Sequence, residues 1–402
     1  MAEGRPRVAI AHCDARSRDE IVYERLAWAV DQIGGLGPLF AGKKKVFIKA
    51  NLGIADVRLF EGRQVALADR AVVRATVALI REVYSGELAI GDATTDGPCR
   101  RVYQMVGHDK ALAPFDVFQA EPNEPPFAKV DVPGGGTMFS SYYYNEDLLQ
   151  ADAVVSIAKM KSHVAGGATL CLKNLFGLPP IQVYGRPRRY LHAAVRLPRA
   201  LVDGGAIFRP CLNVVDGLVS QDNREWHGAP VKTDVLLVGD NTIATDATAM
   251  RLMGFDPEAD YPAFPFHFDS NAVLLASKYG LGPVRADEID VRGDADLVLG
   301  HRFHVDRERS AEIELVRRSV AEQALRYRDR EDEFLSHSRG KTVALSNGRV
   351  LATVDSVNEL PGRAKLAEMA GSPTAGVYVK RVLPPDDENE RYEVYEQILS
   401  EP

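Results

Sequence analysis

The first hundred residues alternate between short apolar runs and amphipathic helical patterns. Apolar runs at 7–11, 46–48 and 88–90 predict strands, because each is short and bounded by polar or turn residues. Apolar residues at helical spacing predict helices near 18–32 and 71–84. Strands that alternate with helices in this way pair in parallel, with helices covering both faces of the sheet. The sequence therefore predicts an α/β fold, built on a mostly parallel sheet with helices on both faces.

The length of the chain, 402 residues, predicts more than one folding unit. We expect an α/β domain over residues 1–300 that carries the functional site, a helical connector over 301–335 and a small α+β module over 336–402. The module is predicted from a hairpin around Asn347-Gly348, followed by a helix and a strand. It contains no cluster of residues that suggests chemistry, so we interpret it as an accessory or oligomerisation module.

Charge and hydropathy narrow the range of partners. The formal net charge of −7 argues against a general nucleic-acid binder, which usually carries a basic excess. No apolar run approaches the roughly 18 residues of a membrane span, and the N-terminus lacks the apolar core of a signal peptide. We therefore expect a cytoplasmic protein that binds a small anionic molecule, with neither nucleic acid nor membrane as a partner. A homo-oligomer, where one forms, is expected to use the C-terminal module.

The four cysteines lie far apart in the sequence, and no two of them form a CxxC pair; they are Cys13, Cys99, Cys171 and Cys211. A zinc ribbon or a ferredoxin-type iron–sulfur cluster needs closely spaced cysteines. We therefore expect free structural thiols and no iron–sulfur cluster.

The most distinctive polar stretch of the chain lies at 151–180. It begins with an apolar run at 153–158, which predicts a buried strand. Small residues at 165–169 allow a backbone or a ligand to approach closely. In open α/β sheets, ligands bind at the carboxyl ends of the strands, so the stretch predicts an anion site, with a basic surface turn as the alternative. The polar residues concerned are Lys159, Lys161, His163, Lys173 and Asn174.

Further polar residues fall at other predicted strand ends, at a helix start and in an arginine-rich loop. The aspartates among them could hold a hard cation such as Mg²⁺, or they could be turn and helix-start residues. The arginines could bind a phosphate or carboxylate, or they could solvate a loop surface. These residues are Lys49, Asn51, Asp92, Asp216 and Asp246, together with Arg186, Arg188, Arg189 and His192.

The residue types in this set suit acid–base chemistry on an anion. Histidine titrates near neutral pH and transfers protons, and the pKa of a lysine falls when it is desolvated beside other cations. Lysine and asparagine also stabilise developing negative charge. We assign His163, Lys161, Lys173 and His192 as catalytic candidates. The substrate-binding candidates are Lys49, Asn51, Lys159, Asn174, Arg186, Arg188 and Arg189, and the metal-binding candidates are Asp92, Asp216 and Asp246.

A set of short motifs in fixed order resembles the DUF362 family over about residues 7–291. The resemblance implies the fold and the candidate site more than a reaction. This chain has Lys49-Ala50-Asn51 where the family usually has Lys-Pro-Asn, and it lacks the ferredoxin-type cysteine motifs of many relatives. The other motifs are Gly91-Asp92, Lys159-Met160-Lys161-Ser162-His163, Lys173-Asn174-Leu175-Phe176-Gly177, Asn213-Val214-Val215-Asp216-Gly217 and Ala244-Thr245-Asp246-Ala247-Thr248-Ala249.

Two weaker resemblances concern smaller parts of the chain. The C-terminal seventy or so residues resemble the small DUF5678 module. The stretch from His163 to Lys173 is distantly similar to the nickel-pincer lactate racemase family, whose histidines exchange a proton α to a carboxylate. That similarity rests on one histidine followed by a small-Gly-Gly run.

Taken with the candidate residues, these patterns favour an enzyme that acts on an anionic small or medium organic molecule by lysine and histidine acid–base chemistry. Isomerisation, cyclisation, elimination and C–C rearrangement are compatible reactions, with or without a divalent metal ion, in a biosynthetic setting. Hydride transfer has less support, because no Gly-x-Gly-x-x-Gly fingerprint follows the first strand. The alternatives are an iron–sulfur-linked redox or electron-transfer accessory protein and a non-catalytic binding protein.

Overall fold

The computed structural model describes residues 4–307, 310–372 and 374–401. Residues 1–3, 308–309, 373 and 402 fall within the predicted units but lie outside the described residues. The strands, in chain order, are β1 (Arg7–His12), β2 (Lys45–Ala50), β3 (Leu59–Phe60), β4 (Arg63–Gln64), β5 (Glu87–Gly91), β6 (Phe118–Ala120), β7 (Phe127–Asp131), β8 (Ser141–Asn145), β9 (Ala153–His163), β10 (Gly167–Thr169), β11 (Leu212–Asp222), β12 (Ala229–Gly239), β13 (Asp290–Gly293), β14 (Thr342–Ser346), β15 (Arg349–Val354) and β16 (Tyr378–Arg381).

Most of the helices follow strands, as the sequence pattern predicts. The helices are α1 (Asp19–Gln32), α2 (Gly37–Phe40), α3 (Arg70–Val83), α4 (Cys99–Val106), α5 (His108–Leu112), α6 (Glu146–Leu149), α7 (Cys171–Asn174), α8 (Ile181–Tyr184), α9 (Arg196–Phe208), α10 (Thr242–Leu252), α11 (Ala272–Lys278), α12 (Ser310–Arg328), α13 (Glu331–Ser338), α14 (Arg363–Ala370), α15 (Pro385–Glu388) and α16 (Glu393–Ser400). Within the described ranges, no helix combines the length and the apolar character needed to cross a membrane.

One large mixed sheet forms the centre of the molecule. Its strands lie in the order β13-β1-β12-β11-β9-β2-β5-β6, and β10 pairs with the end of β9. The pairs from β11 through β6 are parallel, as is the pair of β1 with β13. Among the strands of this sheet that the structure describes, only β12, against both of its neighbours, and β10 pair in the antiparallel sense. The predicted α/β class with a mostly parallel sheet is therefore confirmed.

The central strand β9 is buried along all eleven of its residues. A parallel strand covered on both faces needs apolar side chains in both directions, and successive side chains of a strand point to opposite faces. Accordingly, Val155 and Ile157 join the core that contains α1 and α3. Ala158 and Met160 join the core on the other face, which contains α9 and α10.

The predicted end of this strand at residue 158 is wrong. The strand continues to His163, because Lys159 remains paired with Asp216 of β11 and His163 pairs with Gly167 of β10. In the same way, β11 runs through to Asp222, so Asp216 lies within a strand and not at its end. Polar side chains at these positions are compatible with a buried strand because their charges are neutralised by neighbours, as described below.

The C-terminal residues form a three-stranded antiparallel sheet in the order β15-β14-β16. The hairpin predicted around Asn347-Gly348 is confirmed, with both residues at positive φ. Helix α12, which the sequence suggests is a connector, packs against β14, β16 and α16. It therefore contributes to the core of this part, while the predicted domain boundaries and the oligomerisation role stay predictions.

A buried ion pair joins the C-terminal part to the main sheet domain. Arg196 of α9 donates to Glu390 Oε1 at 2.6 Å and to the carbonyl of Val379 at 2.8 Å. Lys380 binds the second carboxylate oxygen of Glu390 at 2.8 Å. Burial by itself would raise the pKa of Glu390, but the two cations outweigh it and lower the pKa to about 2. The carboxylate therefore stays charged and anchors the two parts to each other.

Replacing Arg196 with methionine removes one cation from this buried cluster. Loss of one partner of a buried pair costs about 3–5 kcal/mol, so the free energy of unfolding of Arg196→Met should fall by about this amount in urea denaturation. Arg100→Met, which changes an exposed arginine on α4, is the control and should shift it by less than about 0.5 kcal/mol. Equal effects of the two substitutions would contradict the anchoring role of Arg196.

Candidate functional site

Lys49, near the end of β2, is fully buried, and its ammonium group makes three hydrogen bonds. Its Nζ donates to Asp92 Oδ2 at 2.8 Å, to Asn174 Oδ1 at 2.9 Å and to the carbonyl of Ala50 at 2.9 Å. Asn174 in turn donates from Nδ2 to the carbonyl of Lys49. The meeting of Lys49 and Asp92 follows from the parallel pairing of β2 with β5. Lys49 and Asn174, predicted to bind substrate, thus cross-link β2, the loop after β5 and α7.

Gly177 lies directly against this ion pair. A Cβ atom at this position would lie 2.4 Å from Asp92 Oδ1 and 2.7 Å from Lys49 Nζ. Both distances are far shorter than the contacts that a carbon atom tolerates, and the ion pair is packed too tightly to move away. Glycine is therefore the residue that this position requires.

Gly177→Ala should consequently destabilise the protein by about 1–3 kcal/mol, the usual cost of overpacking a well-packed core. The measurement is the free energy of unfolding from urea titration. Gly37→Ala is the matched control, since a Cβ there meets no atom within 4 Å. A Gly177→Ala protein as stable as the Gly37→Ala protein would show that the Lys49–Asp92 contact is not as close as described.

Each of the three aspartates predicted to bind a metal interacts with a different partner in the protein. Asp92 pairs with Lys49, and Asp216 pairs with the equally buried Lys159 at 3.0 Å. Both carboxylate oxygens of Asp246 accept backbone N–H groups at the start of α7, from residues 171 and 172. Burial raises the pKa of Asp246 to about 7. The structure thus gives each aspartate its own structural partner and does not bring the three together; Lys159, a predicted substrate ligand, is used in the same way.

The three arginines of the arginine-rich loop have different environments. Arg188 is buried and donates to the carbonyl groups of Pro179 and Ala93. Arg189 donates to the carbonyls of residues 360 and 361 in the C-terminal part, and Arg186 is exposed. The loop therefore ties neighbouring segments together, and the three side chains do not converge on one point.

The four residues predicted to be catalytic do lie together. The imidazole rings of His163 and His192 stack with their centroids 5.9 Å apart. The ring of Phe176 meets His192 edge-on at 5.7 Å, and the Nζ of Lys173 lies 4.4 Å from the centroid of the same phenyl ring. The Nζ of Lys161, two residues before His163 on β9, lies 4.5 Å from the ring of Trp226. We call His163, His192, Lys161, Lys173 and Glu225 the imidazole–lysine cluster.

Two backbone amides fix the orientation of His163. The N–H groups of Ala165 and Gly166 donate to its Nδ1 at 3.1 Å and 3.0 Å. The neutral ring therefore carries its proton on Nε2, the nitrogen that lies 3.9 Å from Glu225 Oε1. Burial lowers the pKa of His163 to about 4, against the opposing effect of Glu225. Burial and Lys173 lower the pKa of His192 well below its ordinary value, so both rings are neutral at pH 7.

The two lysines of the cluster differ in their partners. Lys161 is buried and donates to Asn51 Oδ1 at 3.3 Å and to the carbonyl of Ala66 at 2.9 Å. Within the described part of the chain, no oxygen accepts a hydrogen bond from Lys173 Nζ. Burial lowers the pKa of Lys161 to about 7 and that of Lys173 to about 8. Lys173 is thus the cation of the cluster that is able to bind a ligand, and Asn51 holds Lys161.

Glu225 belongs to the cluster although the sequence patterns do not single it out. Its Oε2 accepts the N–H of Val164 at 3.1 Å. Burial raises its pKa, but nearby His163 and backbone N–H donors outweigh burial and lower the pKa to about 2. Because β11 lies parallel to β9, the loop after β11 reaches the same sheet edge as His163. That topological argument is the signal by which this acidic loop could have been found.

Comparison with known proteins identifies one matching family. The family model described as "Domain of unknown function (DUF362)" matches residues 46–251, just over half of the chain. The thylakoid-associated protein sll1697 of Synechocystis sp. is 25% identical over 234 residues, which cover 57% of this chain and 68% of that protein. The predicted resemblance to DUF362 is confirmed, whereas the resemblance to DUF5678 and the cytoplasmic location stay predictions.

Two solved structures show low similarity to part of this chain. The lactate racemase apoprotein from Thermoanaerobacterium thermosaccharolyticum is 14% identical with a TM-score of 0.36, covering 55% of this chain and 51% of that one. A structural-genomics protein from Thermotoga maritima is 13% identical with a TM-score of 0.30, covering 54% of each chain. The matched region thus spans about half the length of either structure.

Proposed function

Because this chain belongs to the DUF362 family, whose description assigns no activity, we propose a function from the geometry of its own site. The protein is an enzyme that transfers a proton on a small anionic organic substrate, using the imidazole–lysine cluster. The observation that supports this proposal is the combination of two stacked neutral imidazoles with an adjoining ammonium group, that of Lys173, which has no oxygen partner among the described residues.

Lys173 is the proposed binding group for a carboxylate or similar anionic oxygen. Its ammonium lies against an aromatic ring and not against an acid, so its hydrogens are available to a ligand. A small cavity lies beside Lys173. Its lining includes Gly166, Leu170, Leu172, Met250 and Ala272.

His192 is the proposed base. Its ring makes no hydrogen bond with the described residues, and its lowered pKa keeps it unprotonated at neutral pH. A base of low pKa attracts a proton weakly, so stabilisation of the developing negative charge by Lys173 must contribute much of the rate. His163 adds a hydrogen bond to the substrate from Nε2 without giving up its proton, because its ring is held neutral.

Isomerisation and elimination both suit this arrangement. Each begins when a C–H bond next to the carboxylate breaks, its electron pair moves onto the carboxylate oxygens, and His192 takes the proton. Return of a proton to the opposite face of the same carbon gives the other stereoisomer, whereas departure of a leaving group from the adjacent carbon gives an alkene.

The proposal predicts exchange of a substrate C–H proton with solvent. Small 2-hydroxy- and 3-hydroxycarboxylates that raise the melting temperature of the protein are incubated with it in D₂O, and deuterium incorporation is followed by proton NMR. His192→Gln should slow exchange by about 100-fold or more, the range of general acid–base contributions. Lys173→Met should weaken binding of the same carboxylate.

The matched controls change exposed residues of the same types, His12→Gln and Lys110→Met, and should exchange at the wild-type rate. Circular dichroism and melting temperature establish that each variant is folded. Wild-type exchange by folded His192→Gln would refute the assigned base. A carboxylate that binds through Lys173 without exchange in any variant would instead support a non-catalytic binding protein.

The pKa of Lys173 sets the pH dependence of anion binding. Its pKa in the folded protein is about 8, below the ordinary value of 10.5, so the ammonium is present below about pH 8 and is lost above it. Affinity for a carboxylate, measured by calorimetry, should be steady from pH 6 to pH 7.5 and then fall towards tenfold per pH unit. Lys173→Arg keeps its charge and should remove this fall. A wild-type affinity that stays constant to pH 9.5 would refute the role of Lys173.

A further inference from the structure

A second polar cluster lies beside the imidazole–lysine cluster but is separate from it. The Nε2 of His301 lies 2.8 Å from Asp222 Oδ2, and the Nδ1 of His304 lies 3.4 Å from the same oxygen. One ligand-type atom from each of the three residues lies within 4.8 Å of the other two. We call Asp222, His301 and His304 the His–His–Asp cluster.

The carboxylate of Asp222 is held in a fixed orientation. Its Oδ1 accepts the hydroxyl of Ser162 at 2.9 Å and the backbone N–H groups of Asn223 and His304, each at 2.7 Å. These donors occupy one oxygen and direct the other, Oδ2, at the two imidazoles. The carboxylate is therefore buried and held with Oδ2 aimed at the two histidines.

The segment that carries the histidines is anchored by its backbone. The N–H of Phe303 donates to the carbonyl of Met253 at 3.0 Å, and Asn223 and Val305 form a parallel β-bridge. The side chains of Phe303 and Val305 are buried. In contrast, the side chain of His301 is 37% exposed and that of His304 is 70% exposed. The burial of alternate residues thus holds two partly exposed imidazoles over one buried carboxylate.

We propose that the His–His–Asp cluster binds a divalent first-row transition metal ion, with Zn²⁺ as the representative ion. Two imidazole nitrogens and one carboxylate oxygen are a donor set that suits zinc and its neighbours, whereas Mg²⁺ and Ca²⁺ prefer oxygen ligands. The ion takes the place of the imidazole proton that otherwise bonds to Asp222 Oδ2. The exposed side of the cluster leaves the remaining coordination positions open to water or a ligand.

This site differs from the aspartates that the sequence suggests as metal ligands, and it does not depend on the proposed function. The two clusters meet at Ser162, which lies between Lys161 and His163 in the chain and donates to Asp222. The hydrogen bond gives the metal site a structural link to the imidazole–lysine cluster. A metal-free His–His–Asp cluster, stabilised only by hydrogen bonds from the imidazoles to Asp222, is the alternative.

Metal binding by the full chain tests this proposal. Protein treated with chelator is titrated with Zn²⁺ by calorimetry and with Co²⁺ by visible absorption, and we expect one equivalent of each ion per chain. His301→Ala and His304→Ala should each weaken the binding of Zn²⁺ at least tenfold, since loss of outer-shell partners alone typically costs about 10–100-fold. His12→Ala, an exposed histidine elsewhere, should bind as the wild type does.

The variants change partly exposed residues, so their circular dichroism and metal-free melting temperature should match the wild type. Asp222→Asn, which keeps the shape of the side chain, provides a third variant with the same fold control. Failure of the wild type to bind one equivalent, or an affinity for Zn²⁺ in both histidine variants as high as in the wild type, would overturn the proposal. The proposal would also be overturned if His163→Gln lost the ion while His304→Ala bound it as tightly as the wild type. Proton exchange on carboxylates is measured separately, so either proposal can fail without the other.

Discussion

The buried ammonium group of Lys49 is the constraint on which the arrangement of the site depends. Burial lowers the pKa of Lys49, and Asp92 opposes this by direct pairing. A buried charge is tolerated only when it is paired and hydrogen-bonded. Three elements must therefore meet at one point: the end of β2, the loop after β5 and helix α7, which supplies Asn174. Because Lys173 precedes Asn174 in α7, the same constraint fixes the position of the proposed anion-binding group.

The mostly parallel sheet and the central cluster could be anticipated from the sequence to a large extent. Apolar runs separated by helical patterns are sufficient to predict parallel pairing, and parallel pairing brings strand ends together at one edge. That argument correctly groups Lys161, His163, Lys173 and His192. It fails for Asp246, whose role as the acceptor of two backbone N–H groups of α7 depends on a contact 75 residues away in the chain. Sequence spacing carries no information about such a contact.

The other residues that the sequence places wrongly or does not single out also depend on partners that are distant in the chain. A lysine that follows an apolar run predicts the end of a buried strand, because an isolated charge is too costly to bury. Lys159 is nevertheless in the middle of β9, since the neighbouring strand supplies Asp216 at 3.0 Å. Glu225 is not predicted from the sequence, because its partners Val164, His163 and His192 lie far away in the chain. His301 lies near a carboxylate 79 residues away. Each of these pairs is visible only once strand neighbours are known.

Four lysines in and around the site, Lys49, Lys159, Lys161 and Lys173, illustrate how partners decide function. Lys49 and Lys159 each have a buried carboxylate within 3.0 Å, and Lys161 has two oxygen acceptors. These three satisfy their charge or their hydrogen bonds within the protein, so a ligand would have to displace an existing interaction to reach them. Lys173 has only the face of Phe176 within the described part of the chain. An arriving anion therefore gains its interaction with Lys173 without breaking another, which is why this lysine, and not its more deeply bonded neighbours, is suited to bind the substrate.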